Sequence, residues 1–145
     1  MDPPDLVAGL PEPVRVIRTS SGVLAVREDL ADAFLDAGFA PGDRPRPARA
    51  DAVGKRPLGS VSAAGREFLV RRFHHGGLLR WLTGVRFASP RRPFDEWRLQ
   101  AHLRELGVPT PAVVAARAQR AWPAGWRLDL ATERVDDAVD LGELL

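Results

Sequence analysis

At 145 residues, 45% hydrophobic and 28% charged, the chain is long enough for one packed domain and has the balance of a soluble globular protein. No apolar run approaches the roughly eighteen residues of a membrane-spanning helix, and the acidic, proline-broken start "MDPPDLVAGLPEPVRV" is no signal peptide. The lack of cysteine excludes disulfides and thiolate metal sites and fits a cytoplasmic protein.

The formal net charge of +2 hides an asymmetry. Gly54 to Arg104 holds eleven Lys or Arg against three acids, Glu67, Asp95 and Glu96, which leaves the rest of the chain acidic. A basic middle points to an anionic partner. Lys55 is the one lysine among twenty-one basic residues, so codon bias accounts for much of the arginine, but not for its clustering.

In chain order, residues 1–13 read as a flexible lead-in. "VRVIRTSSGVLAV" alternates apolar and polar residues across a Ser-Ser-Gly turn, which predicts a hairpin of Val14–Thr19 with Val23–Val26. "REDLADAFLDAGF" sets Leu30, Phe34 and Leu35 on one helical face and ends at Gly38. The prolines of "APGDRPRPARAD" mark a loop. "PLGSVSAAGREFLVRRF" predicts a second hairpin, Leu58–Ala63 with Arg66–Phe73.

A short basic helix follows in "GGLLRWLTG". "SPRRPFDEWRLQAHLRELG" predicts the longest helix, opened near Ser89 or the Arg91-Arg92-Pro93 run and stopped by Gly107, with Phe94, Trp97, Leu99, Leu103 and Leu106 as its apolar stripe. The prolines of "VPTP" force an extended exit into strands at Ala112–Arg117 and Arg127–Glu133. "DLGELL" reads as the first turn of another helix. The layout is α+β: an antiparallel twisted sheet with one long packed helix, plus an extra N-terminal hairpin and helix, in a unit covering 14–145.

Three strings, "RRFHHGGLLRWLTGVRF", "RPFDEWRLQAHLRELGVPTPAVVAA" and "DLATERVDDAVDLGELL", resemble the lipopolysaccharide kinase family of Gram-negative bacteria, which includes the 3-deoxy-D-manno-octulosonic acid (Kdo) kinases and the core heptose kinases. The resemblance covers roughly residues 50 to 145 and is most specific at "HHGGLLR" and "RELGVPTP". It implies the N-terminal, nucleotide-binding lobe of a protein-kinase-like fold, with ATP and magnesium as cofactors. Such a lobe needs a turn over the phosphates, a cation reaching them, a helical carboxylate holding that cation, and a backbone edge for adenine.

On this resemblance, Gly54, Lys55 and Arg56 in "GKRPLGSV" form the phosphate turn. They lack the G-x-G-x-x-G spacing, and an ordinary hairpin turn fits them as well. Arg71 stands where related kinases carry lysine; it keeps the charge but has a larger, planar head. Arg72 is the alternative if the register slips by one, and the plainer reading sends one arginine to solvent. Glu96 is the candidate carboxylate for Arg71. Asp95 faces about 100° away on a 3.6-residue helix, so one of the two at most meets the cation, and both also suit a helix N-terminus. Thr132, Glu133 and Val135 supply the backbone edge for adenine, while Leu58, Val61 and Leu69 are candidates to sandwich the base and equally plain core residues.

The strand-to-helix stretch His74-His75-Gly76-Gly77 offers backbone amides to an anion. His74, His75, Arg80, Arg86, Arg91 and Arg92 form a candidate rim for an acidic glycolipid precursor or the inner-membrane surface, against the alternative that these charges are simply solvated. A metal reading of the histidines fails on ligand count, because His102 lies far along the helix. The tryptophans fit core and turn anchors better than base-stacking platforms.

The catalytic aspartate and magnesium ligands of phosphoryl transfer are expected in a C-terminal lobe beyond Leu145. The chain is thus expected to be inactive alone, with a completing lobe as partner. Asp136, Asp137 and Asp140 read as a solvated acidic loop. Two alternatives remain: a noncatalytic interaction module on the same scaffold, and a nucleic-acid binder, which the lack of a helix-turn-helix signature disfavours.

Overall fold

The computed structural model describes residues 4–11, 13–42, 58–63, 65–73, 89–121 and 125–133. Six strands form one sheet: β1 (Val14–Thr19), β2 (Gly22–Arg27), β3 (Leu58–Ala63), β4 (Arg66–Arg72), β5 (Val113–Arg120) and β6 (Trp126–Glu133). Their spatial order is β1-β2-β5-β6-β4-β3, and every pairing is antiparallel. The described helices are a single turn α1 (Pro4–Val7), then α2 (Ala31–Asp36) behind a 3-10 turn, and the long α3 (Arg92–Glu105).

The expected α+β layout is present, but the N-terminal hairpin is no separate appendage. β2 pairs with β5 from Gly22↔Gln119 to Val26↔Ala115, which extends a four-stranded unit to six. β2 can sit inside the sheet because "GVLAV" is apolar without interruption, and Val23 to Val26 are buried. Position in the sheet also explains why this strand runs one residue longer at each end than alternation alone suggests.

The pleat divides the core in two, since successive side chains point to opposite faces. One cluster, under α3, holds Val23, Ala25, Phe73, Phe94, Trp97, Ala116, Leu128 and Leu130. The other, under α2, holds Leu24, Val26, Phe34, Phe39, Val61, Phe68, Val70 and Ala131. A register shift between Val113 and Ala115 marks a bulge in β5, and it turns Val114 and Ala115 to the α2 side together.

Residues 4–11, expected as part of a flexible lead-in, are docked instead. Leu6 and Leu10 are buried in the α3-side core, and the Arg98 guanidinium of α3 donates to the carbonyls of Ala8, at 2.6 Å, and Leu6. Local sequence reads this segment as loose because its stability comes from a helix ninety residues away.

α3 begins at the Arg-Pro run and ends as expected at Gly107, where the Val108 amide donates to Leu103 (2.9 Å) and the Gly107 amide to Arg104 (3.0 Å). That double closure needs a positive φ, and Gly107 supplies +84°. The expected apolar stripe is only partly right. Phe94 and Trp97 are buried, but Leu99 and Leu106 are 57% and 66% exposed. At 100° per residue the inward row continues from Trp97 to Ala101, and Leu99 lies on the far side.

Candidate functional site

The site forms where β4 ends and α3 begins. Strand alternation puts Leu69, Arg71 and Phe73 on the α3 side, and Phe68, Val70 and Arg72 on the α2 side. Arg71 is hydrogen-bonded through Nη2 to Glu96 Oε1 at 2.6 Å, a length typical of a charge-assisted bond. Both side chains are half-buried, 36% and 27% exposed, so solvent screens the pair less than one at the open surface.

Phe73 sits beneath this pair. The Arg71 Cζ lies 4.9 Å from its ring centroid and the Arg92 Cζ 5.2 Å, so two guanidiniums share one aromatic platform. Asp95 is turned elsewhere: it accepts from Arg98 at 2.7 Å and lies 3.9 Å from Arg91. Of the two adjacent acids, Glu96 is therefore the one beside Arg71.

Arg72, 34% exposed, points away from Glu96. Its Nε donates to Asp129 Oδ1 at 2.9 Å on the opposite face. The other oxygen of Asp129 takes two bonds from Arg117, whose side chain is 0% exposed and whose guanidinium lies 4.2 Å from the Phe39 ring centroid. Sequence reasoning missed this network. Its signal was a charged residue in the middle of each of two neighbouring apolar strands, "VVAARAQR" and "WRLDLATE".

The base-contacting candidates separate by face. Leu58 pairs with Arg71 in the β3–β4 register, and Leu69 pairs with both Ser60 and Thr132, which places Leu69 and Thr132 on the Arg71 side. Val61 does not join them. It pairs with Phe68 and is buried in the α2-side core, so the expectation that it sandwiches a base is corrected. Glu133 uses its amide on the Ala112 carbonyl at 2.9 Å. Its carboxylate faces away from Arg71 and accepts from Arg27 (3.2 Å) and Arg66 (3.1 Å).

Gly54, Lys55, Arg56, His74, His75, Arg80, Arg86 and Val135 lie outside the described residues, as do the short basic helix and Asp136, Asp137 and Asp140. His102 is exposed on the last turn of α3. Among the described residues, no group of three or more His, Cys, Asp or Glu is placed to hold a metal ion, and no helix is long and apolar enough to cross a membrane.

Chemically, the arrangement presents a cation on a rigid strand, aimed by a carboxylate from a helix. A guanidinium carries five N–H donors. Among the described residues one of those of Arg71 is spent, on Glu96. The rest are available for an oxyanion, and a planar fork matches phosphate well.

Residues 50–145 match the profile of the lipopolysaccharide kinase (Kdo/WaaP) family. A curated relative, the 3-deoxy-D-manno-octulosonic acid kinase of Actinobacillus succinogenes, is 33% identical over 92 residues, which are 61% of this chain and 38% of that protein. The chain thus spans well under half the length of the curated relative it matches. No solved structure matches it. With the profile covering more than half its length, the chain belongs to the lipopolysaccharide kinase (Kdo/WaaP) family.

Proposed function

We propose that this chain is the nucleotide-binding lobe of a protein-kinase-like enzyme that phosphorylates a sugar, Kdo or heptose, of a lipopolysaccharide precursor. The observation that carries the reading is the 2.6 Å contact between Arg71 and Glu96. It joins a strand cation to a helix acid as phosphoryl transfer requires, where catalysis rests on positioning and charge.

In this reading Arg71 holds phosphate oxygens of the nucleotide, and Glu96 fixes the direction of its guanidinium. Phe73 supports the stem from below. Leu69 is the described candidate to meet the base and Leu58 is assigned beside it, with Thr132 and the backbone of Glu133 and Val135 assigned to its edge. Gly54, Lys55 and Arg56 belong to the phosphate turn. Bound magnesium–ATP supplies the transferable phosphoryl group; its metal ligands and the acid that orients the acceptor hydroxyl are assigned to further polypeptide.

The acceptor is a lipid-linked acidic sugar. Arg91 and Arg92, with His74, His75, Arg80 and Arg86, are assigned to its anionic groups at the cytoplasmic face of the inner membrane. The relative's name supports the substrate class, for an octulosonic acid carries a carboxylate.

Calorimetry with a nonhydrolysable magnesium–ATP analogue tests the reading. Binding that competes with ATP and not with free ribose is expected. No heat and no protection from thermal unfolding at millimolar analogue contradicts it.

A further inference from the structure

Three elements meet at the side chain of Glu133, the last residue of β6. Arg27, which ends β2, donates through Nη1 to Glu133 Oε1 at 3.2 Å. Arg66, which begins β4, donates through Nη2 to the same oxygen at 3.1 Å. Neither guanidinium hangs loose. Arg27 is held by a two-point fork on Asp29, through Nε at 2.9 Å and Nη2 at 2.7 Å. Arg66 lies over the Phe68 ring, 5.4 Å from its centroid, and Phe68 is the β4 residue paired with Glu133. The carboxylate is thus gripped by two cations that are themselves aimed.

The backbone of Glu133 is tied as well, its amide to the Ala112 carbonyl at 2.9 Å. Arg27 reaches it from two strands away, because β5 lies between β2 and β6. A single ion pair that solvent can reach adds little stability. Four charges in line, Asp29–Arg27–Glu133–Arg66, instead fix where one strand end lies relative to two other strands. Arg27 and Asp29 precede residues 50–145, which match the family profile, whereas Arg66 and Glu133 lie within them. The N-terminal hairpin therefore braces a strand end that belongs to the matched part of the chain.

We propose that Arg27 and Arg66 are positioning residues for base recognition: by holding the Glu133 side chain they set the place of the strand end whose backbone meets the base. The inference rests on the function proposed above, in which Glu133 offers its backbone to adenine. The phosphate contact lies elsewhere. Arg71 pairs with Leu130, three residues back along β6, which is about 10 Å away at ~3.4 Å per residue. Loss of the grip on Glu133 is therefore felt by the base and not by the phosphates.

Calorimetry on the intact 145-residue chain tests this with two ligands, the nonhydrolysable magnesium–ATP analogue and magnesium tripolyphosphate, which has phosphates and no base. The wild type is expected to bind both. In Arg27→Gln and in Arg66→Gln, affinity for the analogue is expected to fall about 3- to 10-fold, the worth of one hydrogen bond, while tripolyphosphate affinity keeps its wild-type value. Arg66 is 52% exposed, so its replacement leaves a folded chain on which the test can be read. Arg15→Gln, which removes a separate pairing of the same hairpin with Glu28 and Asp32, is expected to change neither affinity. A purely structural role predicts equal losses for the two ligands, and that result overturns the proposal. So does an unchanged analogue affinity in both variants, or a loss in Arg15→Gln as large as in Arg27→Gln. A wild-type chain that binds neither ligand overturns the nucleotide reading and this proposal with it, whereas a wild type that binds both beside unaffected variants overturns this proposal alone.

Discussion

Arg71 and Arg72 are neighbours in the chain and serve opposite faces of one sheet. Arg71 meets Glu96 of α3 at 2.6 Å, and Arg72 meets Asp129 of β6 at 2.9 Å. The two-residue period of a strand enforces this division. Arg71→Gln is therefore expected to weaken binding of the magnesium–ATP analogue about 10- to 100-fold, the worth of a hydrogen bond to a charged group at ~1.5–3 kcal/mol. Arg72→Gln is expected to leave that affinity unchanged, and calorimetry on the two variants checks the contrast.

Asp129 lies between two arginines of very different exposure. Arg72 is 34% exposed and can turn to water, whereas Arg117, at 0%, cannot. Asp129→Ala leaves the Arg117 charge buried with its main partner gone, and is expected to cost about 3–5 kcal/mol. Arg72→Gln leaves Asp129 its two bonds from Arg117 and is expected to cost less, about 1 kcal/mol. Urea unfolding of both variants measures the difference; equal costs would show that Arg117 has no special dependence on Asp129.

Gly22 opens β2 with a φ of +150°, and a Cβ built there falls 2.0 Å from the Ala118 carbonyl oxygen. That oxygen is backbone of a paired strand, so it cannot swing aside. Gly22→Ala is expected to destabilise the protein by about 1–3 kcal/mol through overpacking, with added backbone strain. Gly65→Ala meets nothing within 4 Å and is expected to show conformational strain alone, about 1–2 kcal/mol. Thermal melts should rank Gly22→Ala as the less stable variant.

Asp29 has its carboxyl held below its ordinary value of 3.8, first by the hydrogen bond from Arg27. A lowered folded-state value means that the pair's contribution is complete above the ordinary value. It is lost as pH falls through the lowered one. Asp29→Asn is expected to flatten the acid side of the stability curve slightly. Because Asp29 is exposed, high salt should shrink the effect. Urea midpoints taken from neutral to acid pH, in low and high salt, measure it.

Much of the site region was legible in the sequence because it depends on local rules. Alternation in "FLVRRF" separates Arg71 from Arg72, the Arg-Pro run opens α3, and Gly107 closes it. Elements whose partners are distant were harder to read. Leu99 and Leu106 have the spacing of core leucines, and the sheet alone decides that Phe94 and Trp97 face inward. The Arg117–Asp129 pair depends on the β5–β6 register beyond a bulge, which no local pattern announces. Docking of Leu6 and Leu10 likewise depends on α3.

The central claim is that Arg71 and Glu96 act on the nucleotide as a unit. A double-mutant cycle tests it most directly, with magnesium–ATP analogue affinity measured for the wild type, Arg71→Gln, Glu96→Gln and the double variant. The account predicts that each single change weakens binding and that the double variant is no worse than Arg71→Gln alone. Additive losses, or an affinity that neither substitution alters, would contradict it.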